Sequence, residues 1–147
     1  MRAVLQRVHH AEVVVDGAPI ARIAKGILAL VAISREDTSK DLEWMARKIV
    51  ELRIFNDSEG KLNLSLQDIK GELLVVSQFT LYGDCRKGRR PSYSNAASPA
   101  EAERMYEEFV STVRRIMPRV QTGKFQAMMD VSLSNDGPVT LILDSRI

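Results

Sequence analysis

The stretch SQFTLYGDC, residues 77–85, brings several chemically capable side chains together directly after the apolar run ELLVV. It offers hydroxyls at Ser77 and Thr80, an amide at Gln78 and a thiol at Cys85, and a further hydroxyl follows at Ser92. A hydroxyl or thiol nucleophile needs a positioned base. The stretch contains no histidine, so a catalytic triad is not its evident chemistry.

The two histidines, His9 and His10, are adjacent near the start of the chain. On a strand they point to opposite faces, and no cysteine or further histidine follows at ligand spacing. The sequence therefore predicts no metal site. Cys85 has basic neighbours that would lower a thiol pKa, and it stays open, with Thr80, as an alternative nucleophile.

A dense basic run, RKGRR at 86–90, follows this stretch and contributes Arg86, Lys87, Arg89 and Arg90. Such a run can be a solvated turn or a clamp for phosphates. Its position beside a polar strand end favours phosphate binding.

The segment NDGPVT, residues 135–140, has the composition of a tight hairpin. A second interpretation is that the Gly137–Pro138 bond is cis, which would let two carbonyl oxygens point the same way as fixed acceptors.

The elements that must position these groups follow from periodicity. Apolar, partly alternating runs predict antiparallel strands over 3–15 and after the turn DGAP, and the continuous run ILALVAI predicts a strand covered on both faces. The run GELLVVSQF predicts another strand, and the end of the chain predicts strands over 124–134 and 139–144, joined tightly at 135–138.

Two segments show helical spacing instead. The first begins near Thr38 or Ser39, and Leu42, Met45, Ala46, Ile49 and Val50 form its apolar face. The second begins at Ser98 with Pro99 in its first turn, and Ser98 and Glu101 are expected to cap it. Its buried stripe is predicted to contain Ala102, Met105, Tyr106, Phe109, Val110, Val113, Ile116 and Met117. The fold class is α+β, with mostly antiparallel sheets in a barrel-like or layered core and two main helices.

Length and composition agree with one domain spanning 1–147. Apolar residues make up 45% and charged residues 27%, and 21 basic against 19 acidic residues leave a formal charge of +2. No secretory signal or membrane span is recognisable, and the single cysteine suits a reducing compartment, so we expect a cytoplasmic protein.

Two paired motifs, SQFTL at 77–81 and NDGPVT at 135–140, occur together with LQRV, RPS at 90–92, ASPAEAE and QTGKF. With these motifs in this order, the chain resembles the D-aminoacyl-tRNA deacylase family over residues 1 to about 145. The resemblance implies a homodimer with active sites at the subunit interface. It also implies hydrolysis of D-aminoacyl-tRNA and glycyl-tRNA, with no cofactor, no metal and no membrane partner.

The resemblance also implies residue roles. It places Gln78, Phe79 and Thr80 at the reacting ester, Ser77 and Leu81 in substrate binding, and Gly137 and Pro138 in the pocket of the partner subunit. Arg7 would brace the Gly-Pro loop, although its stem could simply cover apolar surface. Phe125 would line the pocket or belong to the core, and Arg86, Lys87, Arg89 and Arg90 would meet tRNA phosphates.

The chemistry that the family is thought to use fits the lack of a histidine. An ester to ribose is already activated, and a neighbouring 2′-hydroxyl of the tRNA can assist water, so positioning and backbone N–H groups suffice. If the Gly137 and Pro138 carbonyls hold the substrate's amino group, an L side chain would meet backbone, whereas glycine would pass.

One stretch departs from the family pattern: relatives commonly carry F-[GA]-A-D-M where this chain has FQAMM at 125–129. Any role of the family's acidic residue is therefore in doubt here. Two other functions remain open: a nucleic-acid-binding module without hydrolytic activity, and an esterase that uses Thr80 or Cys85 as nucleophile.

Overall fold

The computed structural model describes residues 1–146, which form one mixed six-stranded sheet, a small hairpin and two helices. The strands are β1 (Arg2–Val15), β2 (Ala18–Ile23), β3 (Gly26–Ala32), β4 (Phe55–Asn56), β5 (Leu62–Leu64), β6 (Glu72–Ser77), β7 (Val120–Thr122) and β8 (Asp130–Asp144). The helices are α1 (Ser39–Glu51) and α2 (Pro99–Ile116). The predicted α+β class with a barrel-like core and two helices is confirmed.

The sheet order is β2-β1-β3-β6-β7, and β8 pairs with the other edge of β1. Pairings of β1 with β2, β3 and β8 are antiparallel, whereas β3–β6 and β6–β7 are parallel. The sheet curls so that β2 approaches β6 and β7 and the barrel nearly closes.

The curled sheet is apolar on both faces, as its uninterrupted apolar strands predict. On β3 and β6, Leu28, Leu74 and Val76 face the inside of the curl, while Ile27 and Leu73 face a larger core under both helices. The C-terminal end of β6 is therefore held between two packed layers, which fixes the start of the SQFTL segment.

Helix α1 begins as predicted, because Thr38 is the N-cap and its amide donates to the Asp41 carboxylate at 2.8 Å. Helix α2 has Ser98 as N-cap and Pro99 in its first turn, but the expected side-chain capping is wrong. Ser98 makes no capping hydrogen bond, and Glu101 instead pairs with Arg104 at 2.7 Å. In this first turn the Glu101 carboxylate therefore accepts from the Arg104 guanidinium and not from the backbone N–H of the N-cap.

The predicted strand over 124–134 is wrong in its first part, and the tight hairpin at 135–138 is wrong, whereas 130–134 and 139–144 are strand as predicted. Residues 124–129 are not a strand, and β8 runs in one direction along β1 from Asp130 to Asp144. Asn135 pairs opposite Val8 and Thr140 opposite Gln6, so four residues of β8 bulge out opposite Arg7 alone. Such a bulge contains the same turn-forming residue types as a hairpin, but the chain continues in its original direction after it.

Candidate active site

The end of β6 passes into a single 3₁₀ turn, Phe79–Tyr82. The Gln78 amide N–H donates to the Val31 carbonyl at 2.7 Å, which ties the turn to β3. The Gln78 side-chain amide donates to the Thr80 hydroxyl. The polar side chains of the SQFTL segment are thus held by one another and by the sheet edge.

A cavity of about 570 Å³ opens beside this turn. Ser77, Gln78 and Phe79 line one side, and the first turn of α2 together with the segment 125–129 lines the other. Phe125 faces the cavity and also stacks on Tyr106, with ring centroids 5.9 Å apart. The two roles considered for Phe125, pocket wall and core residue, are therefore compatible in this geometry.

Tyr106, which packs against Phe125, donates its hydroxyl to the Val75 carbonyl at 3.0 Å. Burial raises the pKa of this phenol well above its usual value, so it remains a neutral donor.

None of the residues lining the cavity is a histidine, cysteine, carboxylate, lysine or arginine. Its polar groups are the Ser77 and Tyr93 hydroxyls, the Gln78 and Gln126 amides and the backbone. The backbone N–H group of Phe79 begins the 3₁₀ turn and donates no hydrogen bond within residues 1–146. A site of this kind can orient a substrate and stabilise an oxyanion, but it supplies no strong base.

An aromatic pair lies at the mouth of the cavity, and of its two residues Phe79 was predicted from the sequence and Tyr93 was not. Phe79 and Tyr93 contact edge to face, with centroids 5.0 Å apart, and they are 53% and 38% exposed. Tyr93 follows the RPS motif, and an aromatic residue next to that motif was the available signal. Ala96, Ala97 and Ala102 on the α2 side were also missed, because small residues carry no chemical signal.

Thr80 and Leu81 do not line the cavity of the isolated chain. The Leu81 carbonyl instead accepts a hydrogen bond from Arg2 Nη1 at 2.9 Å, and the Arg2 guanidinium lies 4.8 Å from the Tyr82 ring centroid. Arg2 Nε is held in turn by Asp144 at 3.0 Å. Burial, followed by the charges of Asp37 and Asp144, raises the pKa of Tyr82 to about 12.

The Gly137–Pro138 peptide bond is cis, and both residues are exposed at the tip of the β8 bulge. They do not line the cavity of their own chain. The Asn135 side-chain amide closes the base of the bulge by donating to the Arg7 carbonyl at 2.9 Å and to the Val139 carbonyl at 3.0 Å.

Arg7 holds the bulge from β1. Its Nε lies 3.2 Å from the Asp136 carbonyl oxygen, and its Nη1 donates to the Ile54 carbonyl at 2.7 Å and to the Asn56 side chain at 3.1 Å. The residue is buried. A buried guanidinium with this many acceptors fixes the segment beside it.

The basic run forms an exposed loop, closed at its base by two backbone hydrogen bonds between Asp84 and Ser92. Arg86 is not free, because it pairs with Asp84 through two bonds of 2.9 and 2.6 Å. These hydrogen bonds lower the pKa of Asp84 to about 2. Lys87, Arg89 and Arg90 make no ion pair with any described residue.

The unusual FQAMM segment forms a turn at the cavity mouth. Gln126 has a φ of 61°, in the left-handed region that favours glycine, and Met128 is 91% exposed.

The remaining candidates lie apart from the cavity. His9 Nε2 is 3.6 Å from Asp136 Oδ1, His10 is exposed, and Cys85 Sγ contacts only the Gly83 carbonyl at 3.9 Å. Within residues 1–146 no cluster of three metal-ligating side chains occurs. No helix in the same range is both long and apolar enough to cross a membrane.

A curled mixed sheet backed by two helices, with an uncharged cavity at a strand end and an exposed cis Gly-Pro bulge, defines an α+β protein of the D-aminoacyl-tRNA deacylase-like fold. The family model described as D-Tyr-tRNA(Tyr) deacylase matches residues 4–144. The chain belongs to this family.

Relatives match over nearly the whole length. A D-aminoacyl-tRNA deacylase of Desulfatibacillum aliphaticivorans is 60% identical, covering 99% of this chain and 100% of the relative. One of Thermosipho africanus is 57% identical, covering 99% and 98%. Among solved structures, the c-Myc DNA unwinding element binding protein matches at a TM-score of 0.95 with 44% identity over 100% of both chains. A probable eukaryotic D-amino acid tRNA deacylase matches at 0.83 with 19% identity over 97% of both, which supports the fold.

Proposed function

We propose that this chain hydrolyses the ester that joins a D-amino acid to the terminal adenosine of tRNA and spares L-aminoacyl-tRNA. D-aminoacyl-tRNA deacylation is the activity of the family to which it belongs. The observation that carries the proposal is the presence of an uncharged strand-end cavity together with an exposed Gly137–Pro138 bulge that Arg7 and Asn135 hold by hydrogen bonds.

The terminal adenosine and its ester would occupy the cavity between Gln78, Phe79 and Phe125. The N–H group of Phe79, which lines the cavity, would stabilise the oxyanion, because it is unpaired where the 3₁₀ turn begins. The adjacent 2′-hydroxyl of the tRNA would assist the attacking water. Thr80, whose hydroxyl accepts from Gln78, would orient the turn and would not attack.

Selection for the D configuration would come from the partner subunit in a homodimer. Gly137 and Pro138 lie outside the cavity of their own chain, so they can complete only another chain's site. The outer edge of β8 is unpaired in the described chain, and Ile142 of this strand is 73% exposed, which supports burial of β8 against a second copy. Two carbonyls that bind the substrate's ammonium would admit glycyl-tRNA as well, since glycine has no side chain to exclude.

Mixing two inactive variants tests this arrangement. Pro138→Ala should disable the bulge and Phe79→Ala the cavity, while each leaves the other part intact. In a cross-subunit site, heterodimers would contain one intact site, so an equal mixture that reassorts freely should recover about a quarter of wild-type activity. Heterodimers that form without recovering activity would contradict the cross-subunit site.

A nucleic-acid-binding module without hydrolysis is the second candidate. The exposed basic loop favours it, and one of the similar solved structures is that of a DNA unwinding element binding protein. Retained binding of duplex DNA by a chain that leaves every aminoacyl ester intact would support this candidate.

A further inference from the structure

A second cavity, of about 500 Å³, adjoins the candidate active site on the far side of the 3₁₀ turn. Three chain segments run from the first cavity to the second. In one segment, Ala32 and Ile33 line the first cavity and Ser34 lines the second. In the other two, Phe79 and Tyr93 line the first cavity, while Tyr82 and Asn95 line the second. The two cavities are therefore neighbours in one surface.

The spacing between the cavities suits a nucleic acid. Phe79 and Tyr82 are three residues apart in a 3₁₀ turn, which corresponds to about 6 Å at roughly 2 Å per residue. Stacked nucleotides advance by about 3.4 Å each. A strand whose terminal adenosine lies in the first cavity would thus bring a backbone phosphate to the second within one or two nucleotides.

The second cavity differs from the first in its charge. Four guanidinium groups and three carboxylates line it, contributed by Arg2, Arg35, Arg86 and Arg146 and by Glu36, Asp84 and Asp144. Arg2 is engaged by Asp144, and Arg146 lies within 3.8 Å of carboxylates of Glu36, Asp37 and Asp41. These two arginines serve mainly as structural ion pairs.

Arg35 is the cation free to bind a ligand, and Arg86 can bind one by exchanging its pair with Asp84. The Arg35 guanidinium has no ion pair or hydrogen bond within residues 1–146, while its backbone N–H is fixed to the Asn95 carbonyl at 3.2 Å. The Arg86 side chain is 85% exposed, so its pair with Asp84 is worth little in water and can be exchanged. Guanidinium groups bind phosphate through two parallel hydrogen bonds.

We propose that this second cavity binds a backbone phosphate of the tRNA acceptor end, with Arg35 as its main cation and Arg86 as its second. The inference rests on the proposed function for the identity of the strand. It extends the tRNA contact from the exposed basic loop to a formed cavity next to the active site.

Equilibrium binding of uncharged tRNA to the full chain tests the proposal. Two RNAs are compared, an intact tRNA and the same tRNA without its last three nucleotides. Arg35→Ala should raise the Kd for intact tRNA about fivefold to tenfold and lower the slope of log K against log salt by about 0.7. Arg35→Lys should fall between Arg35→Ala and wild type, and Arg35→Glu should bind more weakly than Arg35→Ala.

Arg47→Ala, on the outer face of α1, removes the same charge outside both cavities and should leave the Kd nearly unchanged. For the truncated tRNA, Arg35→Ala should also have little effect. Hydrolysis of D-tyrosyl-adenosine, which has no phosphate, should match wild type in Arg35→Ala.

The proposal is overturned if Arg35→Ala binds intact tRNA as tightly as Arg47→Ala does, or if it weakens intact and truncated tRNA equally. Failure of the proposed function would look different. If the wild-type chain hydrolysed no D-aminoacyl ester, while Arg35→Ala still weakened binding of intact tRNA, the enzyme would be refuted and the phosphate site supported.

Discussion

The guanidinium of Arg7 lies directly against Gly137, so that a Cβ built on this glycine would stand 3.0 Å from Arg7 Nη2. Gly137 also has a φ of 120°, a conformation that side-chain-bearing residues rarely adopt. Arg7 of β1 therefore positions the bulge of β8, and its closeness requires a glycine at the tip of the bulge. The arrangement gives the exposed cis bond a fixed direction.

We expect Arg7→Ala to lower both stability and activity. The substitution leaves the buried Ile54 carbonyl and the Asp136 carbonyl without their donor, which should cost about 1–3 kcal/mol in the free energy of unfolding. D-tyrosyl-tRNA hydrolysis should fall further than the unfolded fraction explains, because the bulge loses its support. Urea titration and single-turnover assays on the folded protein measure the two effects.

Arg22→Ala is the matched control, since Arg22 pairs with Glu12 on the exposed face of the same sheet. It should change stability by less than about 1 kcal/mol and leave activity intact. An Arg7→Ala protein that is destabilised but fully active would show that the brace has no part in the reaction.

Cys85→Ala should deacylate at the wild-type rate, and Thr80→Ala should slow turnover only severalfold. Cys85 is exposed outside the cavity, and the Thr80 hydroxyl has an amide and no base as its partner. Rates at saturating enzyme, together with tRNA affinity, separate chemistry from binding. Abolished turnover with normal affinity in either variant would establish a protein nucleophile.

The pH dependence should follow the substrate. No lining residue of the cavity is a histidine, cysteine or carboxylate, and the substrate's ammonium stays protonated below about pH 7. The ratio of catalysed to uncatalysed hydrolysis of D-tyrosyl-tRNA should therefore stay nearly constant between about pH 5.5 and 7. The Asp84–Arg86 ion pair should stay intact in the same window, because the pKa of Asp84 is lowered to about 2. The stabilisation from this ion pair is lost only as the pH falls towards that value. A change of this ratio with pH that disappears in His9→Ala or His10→Ala would instead identify a histidine base.

Gln126→Gly should stabilise the chain by up to about 1 kcal/mol, because glycine adopts the left-handed backbone at this position without steric cost. Gln126→Ala, which keeps a Cβ, should give no such gain. Thermal unfolding of the two variants makes the comparison, and equal melting temperatures would mean that the backbone here is not strained by the side chain.

Sequence periodicity predicted the parts of the fold whose burial is one-sided or complete. The five apolar residues on α1 are all buried, and Met105, Tyr106, Phe109, Val110 and Val113 on α2 are as well. It failed at the bulge, because turn-forming residues indicate that the chain leaves the strand but not whether it returns in the same direction. Only the pairing of both halves of β8 with β1 decides that.

The site was predictable where residue types carry chemistry. The structure brings Ser77, Gln78, Phe79 and Phe125 to one cavity and sets Arg7 against the Gly-Pro bulge. The second cavity was out of reach, since it depends on how the segments around Ser34 and Asn95 meet, as in the isolated bridge between Ser34 and Ala96. Pairs of this kind are distant in sequence and follow no periodic pattern.

The most direct test is a pair of matched deacylation time courses on D-tyrosyl-tRNA and L-tyrosyl-tRNA, each with an enzyme-free control and with chelator present. The proposed mechanism predicts rapid loss of the D ester while the L ester decays only at its spontaneous rate. Equal loss of both esters would contradict chiral selection, and loss of neither would contradict the deacylase itself.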